Sequence, residues 1–187
     1  MKITLLKENF KKGLSVIGKT NITNLSLPIL RNVLIRTNNR IQLTTTDLEI
    51  AITHFIPGKI SENGGITIPI NILTDIINNL KSEKINLEKK NKNLFIKTDN
   101  YEALLQGIEE EEFPIIPKIK NTKDFIEINS KLLLDSLESV VLAASVSDVR
   151  PEIFGILFNF EPGIIKLTAT DSFRLAEKTI NQEKFKT

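Results

Sequence analysis

The sequence predicts an α+β protein built from a repeated module of one strand, one helix and three further strands, with antiparallel sheets and two helices per domain. Apolar residues recur first at the two-residue spacing of a strand and then at helical spacing, and this order returns three times along the 187 residues. The first and third copies also share the motif L-T-x-T-D at the same place in the module. A duplicated module accounts for both observations.

The first module begins with an alternating strand at 2–5 and an amphipathic helix at 7–18. The apolar stripe of this helix consists of Phe10, Leu14 and Ile17. Three strand-like runs follow, at Ile29–Arg36, Arg40–Thr46 and Leu48–Ile56. Asn38-Asn39 lies between the first two runs, and such a pair predicts a tight turn.

The second module repeats this order, starting with a strand at 66–69. The apolar stripe of its helix consists of Ile72, Leu73, Ile76, Ile77 and Leu80. Its three strands are predicted at about Lys84–Glu88, Asn93–Lys97 and Tyr101–Gln106. The polar segment Lys89–Lys92 is the predicted turn between the first two strands.

The third module starts with a predicted strand at Asp124–Ile128. Its helix carries Leu133, Leu137, Val140 and Ala144 at helical spacing. Its strands are predicted near 153–160, 164–169 and 173–180. Pro162-Gly163 predicts the turn between the first two of them.

The first and third modules correspond residue by residue. At one constant offset, the helix stripes align, and so do the triplets Pro28, Leu30, Leu34 and Pro151, Ile153, Leu157. After one inserted residue in the hairpin, 43–47 matches 167–171 as the shared L-T-x-T-D. Aligned apolar residues can arise by chance, but an identical motif at an identical place indicates a true duplication.

Two modules, residues 1–120, are predicted to form a first domain whose helices lie side by side against its sheets. Residues 121–187 would be the N-terminal half of a second domain. The segment 109–123 is the predicted connection, since its prolines disfavour regular structure; its glutamates are interpreted as a solvated loop, with an acidic interaction surface as the alternative. A lone half-domain would expose a helix stripe and a sheet edge, so we expect this sequence to be part of a longer protein.

The composition is that of an ordinary globular protein, with 41% apolar and 26% charged residues. No apolar run is long enough for a membrane span, and the N-terminus lacks a secretory signal, so a cytoplasmic protein without membrane contact is expected. The absence of cysteine excludes disulfides, thiolate zinc sites and cysteine nucleophiles. A net charge of +2 is too balanced to indicate nucleic-acid binding by bulk electrostatics.

Catalytic groups are not evident, and we expect neither a cofactor nor a metal. His54 is the only histidine and is interpreted as a strand-surface residue. Phosphate-binding glycine motifs and hydrolase elbows are missing from the sequence. Asp47 and Asp171 could be the carboxylates of a hydrolase. Their equivalent positions after a threonine-rich strand end favour a structural role instead, in which each accepts backbone N–H bonds at a turn.

Five short motifs occur along the chain, at Leu27–Leu30, Thr46–Glu49, Phe113-Pro114, Asp148–Pro151 and Thr168–Ala176. Together they resemble the bacterial DNA polymerase III beta subunit family, the beta sliding clamps, over essentially all 187 residues. The resemblance implies a DNA-clamp fold with three such domains per full-length chain. It also implies a head-to-tail homodimer ring whose helices line the hole.

The resemblance further implies a non-catalytic function in DNA replication. Such a processivity factor encircles duplex DNA without reading its sequence, and it recruits the replicative polymerase and clamp-loader subunits through linear motifs. The alternative is a repeat-built protein-binding scaffold with no role on DNA. An enzyme using Asp47 or Asp171 is a further alternative.

A partner-peptide cleft is implied on the second domain. Matched residue by residue, it comprises Ile153, Thr170, Ser172, Phe173, Arg174 and Leu175. Ile153 and Leu175 would form an apolar wall, with Thr170 and Arg174 as polar groups at its rim. The family often has glycine and histidine where Ser172 and Phe173 stand, a difference that bears on partner preference. Without the resemblance, Ile153 and Leu175 would be interpreted as ordinary core residues.

The basic residues proposed to contact DNA are Lys11, Lys12, Lys19 and Arg150. Their contacts would be to phosphates, weak and salt-dependent. The outer face of the second helix is neutral, and the third helix carries Asp135 and Glu138, which argues against a uniformly positive hole. Each lysine alone is more often a solvated surface residue.

Overall fold

The computed structural model describes residues 1–20, 27–117, 125–147 and 149–181. The chain divides into two compact units, Met1–Pro117 and Lys118–Thr187. The strands and helices of the first unit are β1 (Lys2–Leu6), α1 (Lys7–Ile17), β2 (Asn32–Asn38), β3 (Arg40–Thr46), β4 (Ala51–Ile56), β5 (Lys59–Glu62), β6 (Gly64–Pro69), α2 (Ile70–Asn79), β7 (Lys84–Lys90), β8 (Asn93–Lys97) and β9 (Glu102–Gln106). Short 3₁₀ turns occur at Pro28–Arg31 and Glu110–Glu112.

The two helices of the first unit contact each other and share one apolar core with both sheets. From α1 the core receives the predicted stripe of Phe10, Leu14 and Ile17. From α2 it receives Ile70, Leu73 and Ile77. The helical spacing of these residues places each set on one face, so the helices bury that face and leave their polar residues in water. The predicted side-by-side packing is confirmed.

The two modules of the first unit exchange their first strands. One sheet has the order β5-β1-β7-β8-β9, and the other has the order β4-β3-β2-β6. In the first sheet, β1 of module one pairs with β7 of module two; in the second sheet, β6 of module two pairs with β2 of module one. Each module therefore completes the sheet of the other.

The β1–β7 pair and the β6–β2 pair align equivalent residues of the two modules. Leu5 lies opposite Ile85 where β1 meets β7, and Ile68 lies opposite Val33 where β6 meets β2. All four side chains are buried, because alternate residues of each strand point into the shared core. The repeat detected in the sequence is thus a pseudo-two-fold arrangement in space.

Several element boundaries differ from the prediction. Residues 29–31 form a 3₁₀ turn instead of a strand, because Pro28 at its start has no N–H to give to a sheet. Residues 48–50 form a turn in which Leu48 has a φ of 79°. The strand β5 was not predicted, since among its four residues only Ile60 packs against the core. The predicted Asn38-Asn39 turn is confirmed, with Asn39 at a φ of 63°.

The acidic segment after β9 is more than the solvated loop predicted from the sequence. Glu109 accepts a hydrogen bond from Lys89 at 2.6 Å, and this bond lowers the pKa of the Glu109 carboxyl. Glu110 pairs with Arg36 at 2.6 Å and lies against Gly65, where a side chain would collide with its carboxylate. Phe113 is buried. Nearby cations on neighbouring strands hold two of the glutamates against the sheets.

The second unit contains α3 (Ser130–Val141), β10 (Leu157–Glu161), β11 (Ile164–Thr170) and β12 (Leu175–Asn181), with a 3₁₀ turn at Pro151–Ile153. The sheet order is β10-β11-β12, and both strand pairs are antiparallel. Asn129 caps α3 by accepting the N–H groups of Lys131 and Leu132. The predicted turn at Pro162-Gly163 is confirmed, with Gly163 at a φ of 78°.

The predicted first strand of this unit is wrong for its described residues. Residues 125–129 belong to no strand, and Asp124 lies outside the described part of the chain. In the first unit β1 has a paired strand on each side, whereas the three described strands of the second unit pair only with one another. The strand β10 begins at Leu157 instead of near residue 153, because Pro151 begins a 3₁₀ turn as Pro28 does.

None of the described helices is long and apolar enough to cross a lipid bilayer.

Candidate functional site

The turn between β11 and β12 holds most of the predicted cleft residues. Asp171 accepts the N–H groups of Phe173 and Arg174 at 3.0 and 2.9 Å through Oδ1. The Thr170 hydroxyl donates to the Arg174 carbonyl at 2.7 Å and accepts the Ser172 N–H at 3.2 Å. These bonds hold Ser172 at a φ of 76° and project the Phe173 side chain outwards.

The turn between β3 and β4 has the same hydrogen bonds. Asp47 accepts the N–H groups of Glu49 and Ile50 at 3.0 and 2.7 Å, and Leu48 occupies the left-handed position. Thr46 donates to the Ile50 carbonyl at 2.9 Å. The structural role predicted for the two aspartates is confirmed, because backbone N–H groups occupy one oxygen of each carboxylate.

Two arginines border the β11–β12 turn. Arg174 donates from Nε to Asp171 Oδ2 at 2.9 Å, and Arg150 donates from Nη1 to Ser172 Oγ at 2.9 Å. The pKa of Asp171 is lowered, chiefly by the Arg174 N–H and then by the Phe173 N–H, with the Arg174 guanidinium adding to the effect. Arg150, predicted to contact DNA, therefore lies beside the cleft residues. Asp148, next to it in the motif, lies outside the described residues.

Apolar side chains of this site are open to solvent. Phe173 is 98% exposed and Leu175 is 68% exposed, so the alternative that Leu175 is a core residue is wrong. Ile153 is half-buried in the 3₁₀ turn, where its carbonyl accepts the Ser145 N–H at 3.2 Å. Exposed apolar groups beside polar donors are characteristic of a surface that binds a peptide segment.

Leu157 is a further apolar residue of this surface that the sequence did not reveal. It lies opposite Thr168 in the sheet, and Leu175 lies opposite Thr170, so all four share one face. Leu157 is 65% exposed, although the equivalent Leu34 of the first module is buried. The sequence did not indicate that Leu157 is exposed, because its alignment with Leu34 in the duplicated module predicts a core position. We call Ile153, Leu157, Thr170, Ser172, Phe173, Arg174 and Leu175 the candidate cleft.

The lysines predicted to contact DNA lie on α1 or directly after it. Lys11, Lys12 and Lys19 are exposed, away from the buried stripe, and none of them pairs with a described carboxylate. Lys7 differs, because its ammonium donates to the Leu80 carbonyl at the end of α2. Two cations on α1 and a third just after its end can attract a phosphate backbone without specific geometry.

The other residues considered for chemistry are not brought together. His54 lies on β4, half-buried, facing Gly13 of α1. The described residues include no cluster of three or more histidines and carboxylates that could hold a metal ion. Asp135 and Glu138 are exposed on α3, as the helical pattern predicted.

Comparison with known proteins defines the class. Residues 1–117 match the family of the DNA polymerase III beta subunit, N-terminal domain. The chain is 30% identical over 195 aligned residues to the beta sliding clamp of Buchnera aphidicola subsp. Rhopalosiphum padi, covering 97% of this chain and 52% of that protein. The chain spans about half the length of the curated relatives it matches.

Solved structures show the same fold. A sliding clamp of Bartonella birtlesii bound to griselimycin is 29% identical, with a TM-score of 0.89 over 97% of this chain and 50% of that one. The beta subunit from the DNA polymerase of Streptococcus pyogenes superposes with a TM-score of 0.92 at 22% identity, over all of this chain and 52% of that one. The fold is therefore the repeated clamp fold. The chain belongs to the DNA polymerase III beta subunit family.

Proposed function

We propose that this chain works as part of a sliding clamp that encircles duplex DNA in the cytoplasm and confers processivity on a replicative polymerase. The match of residues 1–117 to the beta subunit family, on the same fold, is the observation that carries the proposal. A closed ring retains DNA by topology, so weak contacts suffice and the duplex can slide through it. The expected assembly is a head-to-tail homodimer of the longer protein, without catalytic activity.

The α1 lysines support the DNA contact. A ring that slides needs attraction to phosphates that is independent of sequence and easily broken. Lys11, Lys12 and Lys19 are exposed and free of described carboxylates, so their charge is available to a polyanion. Arg150 remains a proposed DNA contact, although its bond to Ser172 also supports a role at the cleft.

The candidate cleft supports recruitment of polymerase and clamp-loader subunits through linear motifs. Leu157 and Leu175 offer apolar area on one sheet face, and Phe173 stands at its rim. Exposed apolar residues of this kind contribute most to the free energy of binding, because a partner removes them from water. The hydrogen-bonded turn at Asp171 holds the rim in one conformation, which lowers the entropy cost of binding.

Griselimycin is bound to the Bartonella clamp, and we propose it as a probe of the candidate cleft in this chain. We expect its addition to the labelled 187-residue chain to shift the amide NMR signals of 150–153 and 170–175. Leu175→Asp should weaken this binding at least tenfold, because a carboxylate would replace apolar area. Leu104→Asp, at an exposed leucine of β9 in the first unit, is the matched control and should leave binding unchanged. Shifts confined to 1–117 would contradict the assignment of the cleft.

A protein-binding scaffold without a role on DNA is the second candidate. Asp135 and Glu138 on α3, together with the net charge of +2, favour it. The two candidates differ in their response to duplex DNA. A clamp chain should bind duplex DNA weakly, and this binding should depend on Lys11, Lys12 and Lys19. A scaffold should not bind duplex DNA.

A further inference from the structure

The five-stranded sheet of the first unit has an open cavity of about 610 Å³ on its outer face. The cavity lies over β7, β8 and β9 and extends to Lys2 of β1. The opposite face of the sheet packs into the core that it shares with α1 and α2. All of these strands lie within 1–117, the residues that match the N-terminal domain of the family. The cavity therefore belongs to the first unit alone.

The floor of this cavity is apolar. Phe95 of β8 lies directly opposite Leu104 of β9, and opposed residues of antiparallel strands point to the same face. The residues on either side of Phe95, Leu94 and Ile96, are buried in the core, so strand alternation turns Phe95 outwards. Phe95 is half-buried and Leu104 is 53% exposed. The pair offers apolar area that a partner can remove from water.

Charged side chains surround this floor, with positive charge in excess. The charged residues among the described lining are Lys2, Lys90, Lys97, Glu88 and Glu102. Lys2 and Lys90 share Glu88, at 3.8 and 3.5 Å, and Lys97 pairs with Glu102. One carboxylate between two ammonium groups leaves a positive charge beside the apolar floor. The side chains of Lys2 and Lys90 are 51% and 58% exposed, so this charge is accessible to a partner.

Lys90 joins the charged and the apolar parts of the cavity. Its Nζ lies 5.2 Å from the centroid of the Phe95 ring, where the electron-rich face of the ring attracts a cation. A carboxylate on a partner would pair with this ammonium group, and an apolar side chain next to the carboxylate would then pack against Phe95 and Leu104. The geometry therefore suits an apolar side chain that has acidic neighbours.

We propose that this cavity binds an acidic linear segment of a partner protein. An apolar side chain of the segment would lie on Phe95 and Leu104, with flanking carboxylates at Lys2 and Lys90. The cavity volume is in the range that encloses the side chains of a bound ligand. The excess positive charge gives the preference for acidic flanks. The proposal concerns a surface of the first unit, apart from the candidate cleft, and it is independent of the proposed role on DNA.

A peptide fits this surface better than a single-stranded nucleic acid does. Glu88 and Glu102 line the same cavity, and they would repel the phosphate that every nucleotide carries. A peptide can instead place its carboxylates only where the lysines are. Stacking of successive bases also needs successive aromatic side chains, and Phe95 is the only one among the described residues of the lining.

The first test adds the synthetic peptide Asp-Asp-Phe-Leu-Asp-Asp, blocked at both ends, to the isotope-labelled 187-residue chain. We expect it to shift the amide NMR signals of 86–90, 95–97 and 102–104. The peptide Lys-Lys-Phe-Leu-Lys-Lys keeps the apolar pair and should bind roughly tenfold more weakly, because its flanks meet like charges. Absence of shifts at these residues with the acidic peptide, or equal affinity for the two peptides, would overturn the proposal. Tighter binding of single-stranded oligothymidylate at the same residues would also overturn it.

Charge reversal tests the assignment at single residues. Lys90→Glu, at an exposed side chain, should weaken binding of the acidic peptide roughly tenfold and favour the basic one. Lys178→Glu, at an exposed lysine of β12, changes the net charge equally and is the matched control, which should leave binding unchanged. Leu104→Asp should abolish peptide binding, because it places a carboxylate on the apolar floor. Equal weakening by the two lysine variants, or peptide binding that survives Leu104→Asp, would contradict the proposal.

Discussion

Asp47 and Asp171 close the same turn in two modules of one chain. Each carboxylate accepts the N–H groups of the residues two and three positions later, and in each turn the residue after the aspartate has a positive φ. The first turn lies in the first unit, and the second carries the exposed Phe173. The duplication therefore preserved the same hydrogen-bonded turn in both modules.

Removal of the Asp47 carboxylate should destabilise the first unit. Asp47→Ala leaves two backbone N–H groups without their acceptor, which costs about 1 kcal/mol of unfolding free energy. Asp47→Asn keeps an oxygen in the same place and should recover part of the loss. Urea denaturation of the three proteins measures the difference. An unchanged midpoint for Asp47→Ala would contradict the structural role.

The acid titration of Asp171 should occur below the ordinary aspartate value of 3.8, since backbone N–H groups stabilise its charged form. Its folded pKa is the lower one, so its contribution to stability is complete above the ordinary value and is lost as the pH falls through the folded pKa. Arg174→Gln removes a guanidinium and should raise this pKa. Carbon NMR of the Asp171 carboxyl in both proteins measures the shift; equal titration curves would rule out the arginine contribution.

Two phenylalanine truncations should separate folding from binding. Phe10→Ala removes a fully buried ring from α1 and should cost about 3–5 kcal/mol in the first unit. Phe173→Ala removes an exposed ring and should leave stability unchanged while it weakens griselimycin binding at the candidate cleft. Thermal unfolding and calorimetric titration measure the two effects. Destabilisation by Phe173→Ala would mean that its ring packs in the fold.

The charge of α1 should determine DNA binding. Replacement of Lys11, Lys12 and Lys19 by alanine should weaken binding to labelled duplex DNA. It should also reduce the salt dependence, by up to about 0.9 in the log–log slope for each phosphate that is no longer neutralised. The matched control replaces three exposed strand lysines, Lys59, Lys84 and Lys178. Fluorescence anisotropy at several salt concentrations compares them; an equal weakening in the control would assign the effect to net charge alone.

Local periodicity was enough to predict the helices and most strands. The stripe of Phe10, Leu14 and Ile17 is buried as its spacing predicts, because a helix has only one face to bury. The turn motif ending in Asp47 and Asp171 was equally predictable, since its hydrogen bonds join residues within four positions of each other. These features depend on neighbours in sequence.

Apart from the packing of the two helices, the main features that depend on distant partners were not predictable. The exchange of β1 and β6 joins residues far apart in the chain, and no local pattern specifies which sheet a first strand enters. The ion pair of Arg36 with Glu110 likewise required the three-dimensional structure. The exposure of Leu157 depends on what covers its sheet face, which differs between equivalent modules.

The exchange of first strands has a consequence for biosynthesis. As the ribosome releases the chain, β1 emerges well before its neighbour β7, which is synthesised only at Lys84–Lys90. β5 can pair with one edge of β1 earlier, but the edge that faces β7 stays open until most of the first unit has been translated. Contacts so distant in sequence fold slowly and leave nascent chains prone to aggregation. Chaperone demand during synthesis should fall only when the second module has left the exit tunnel.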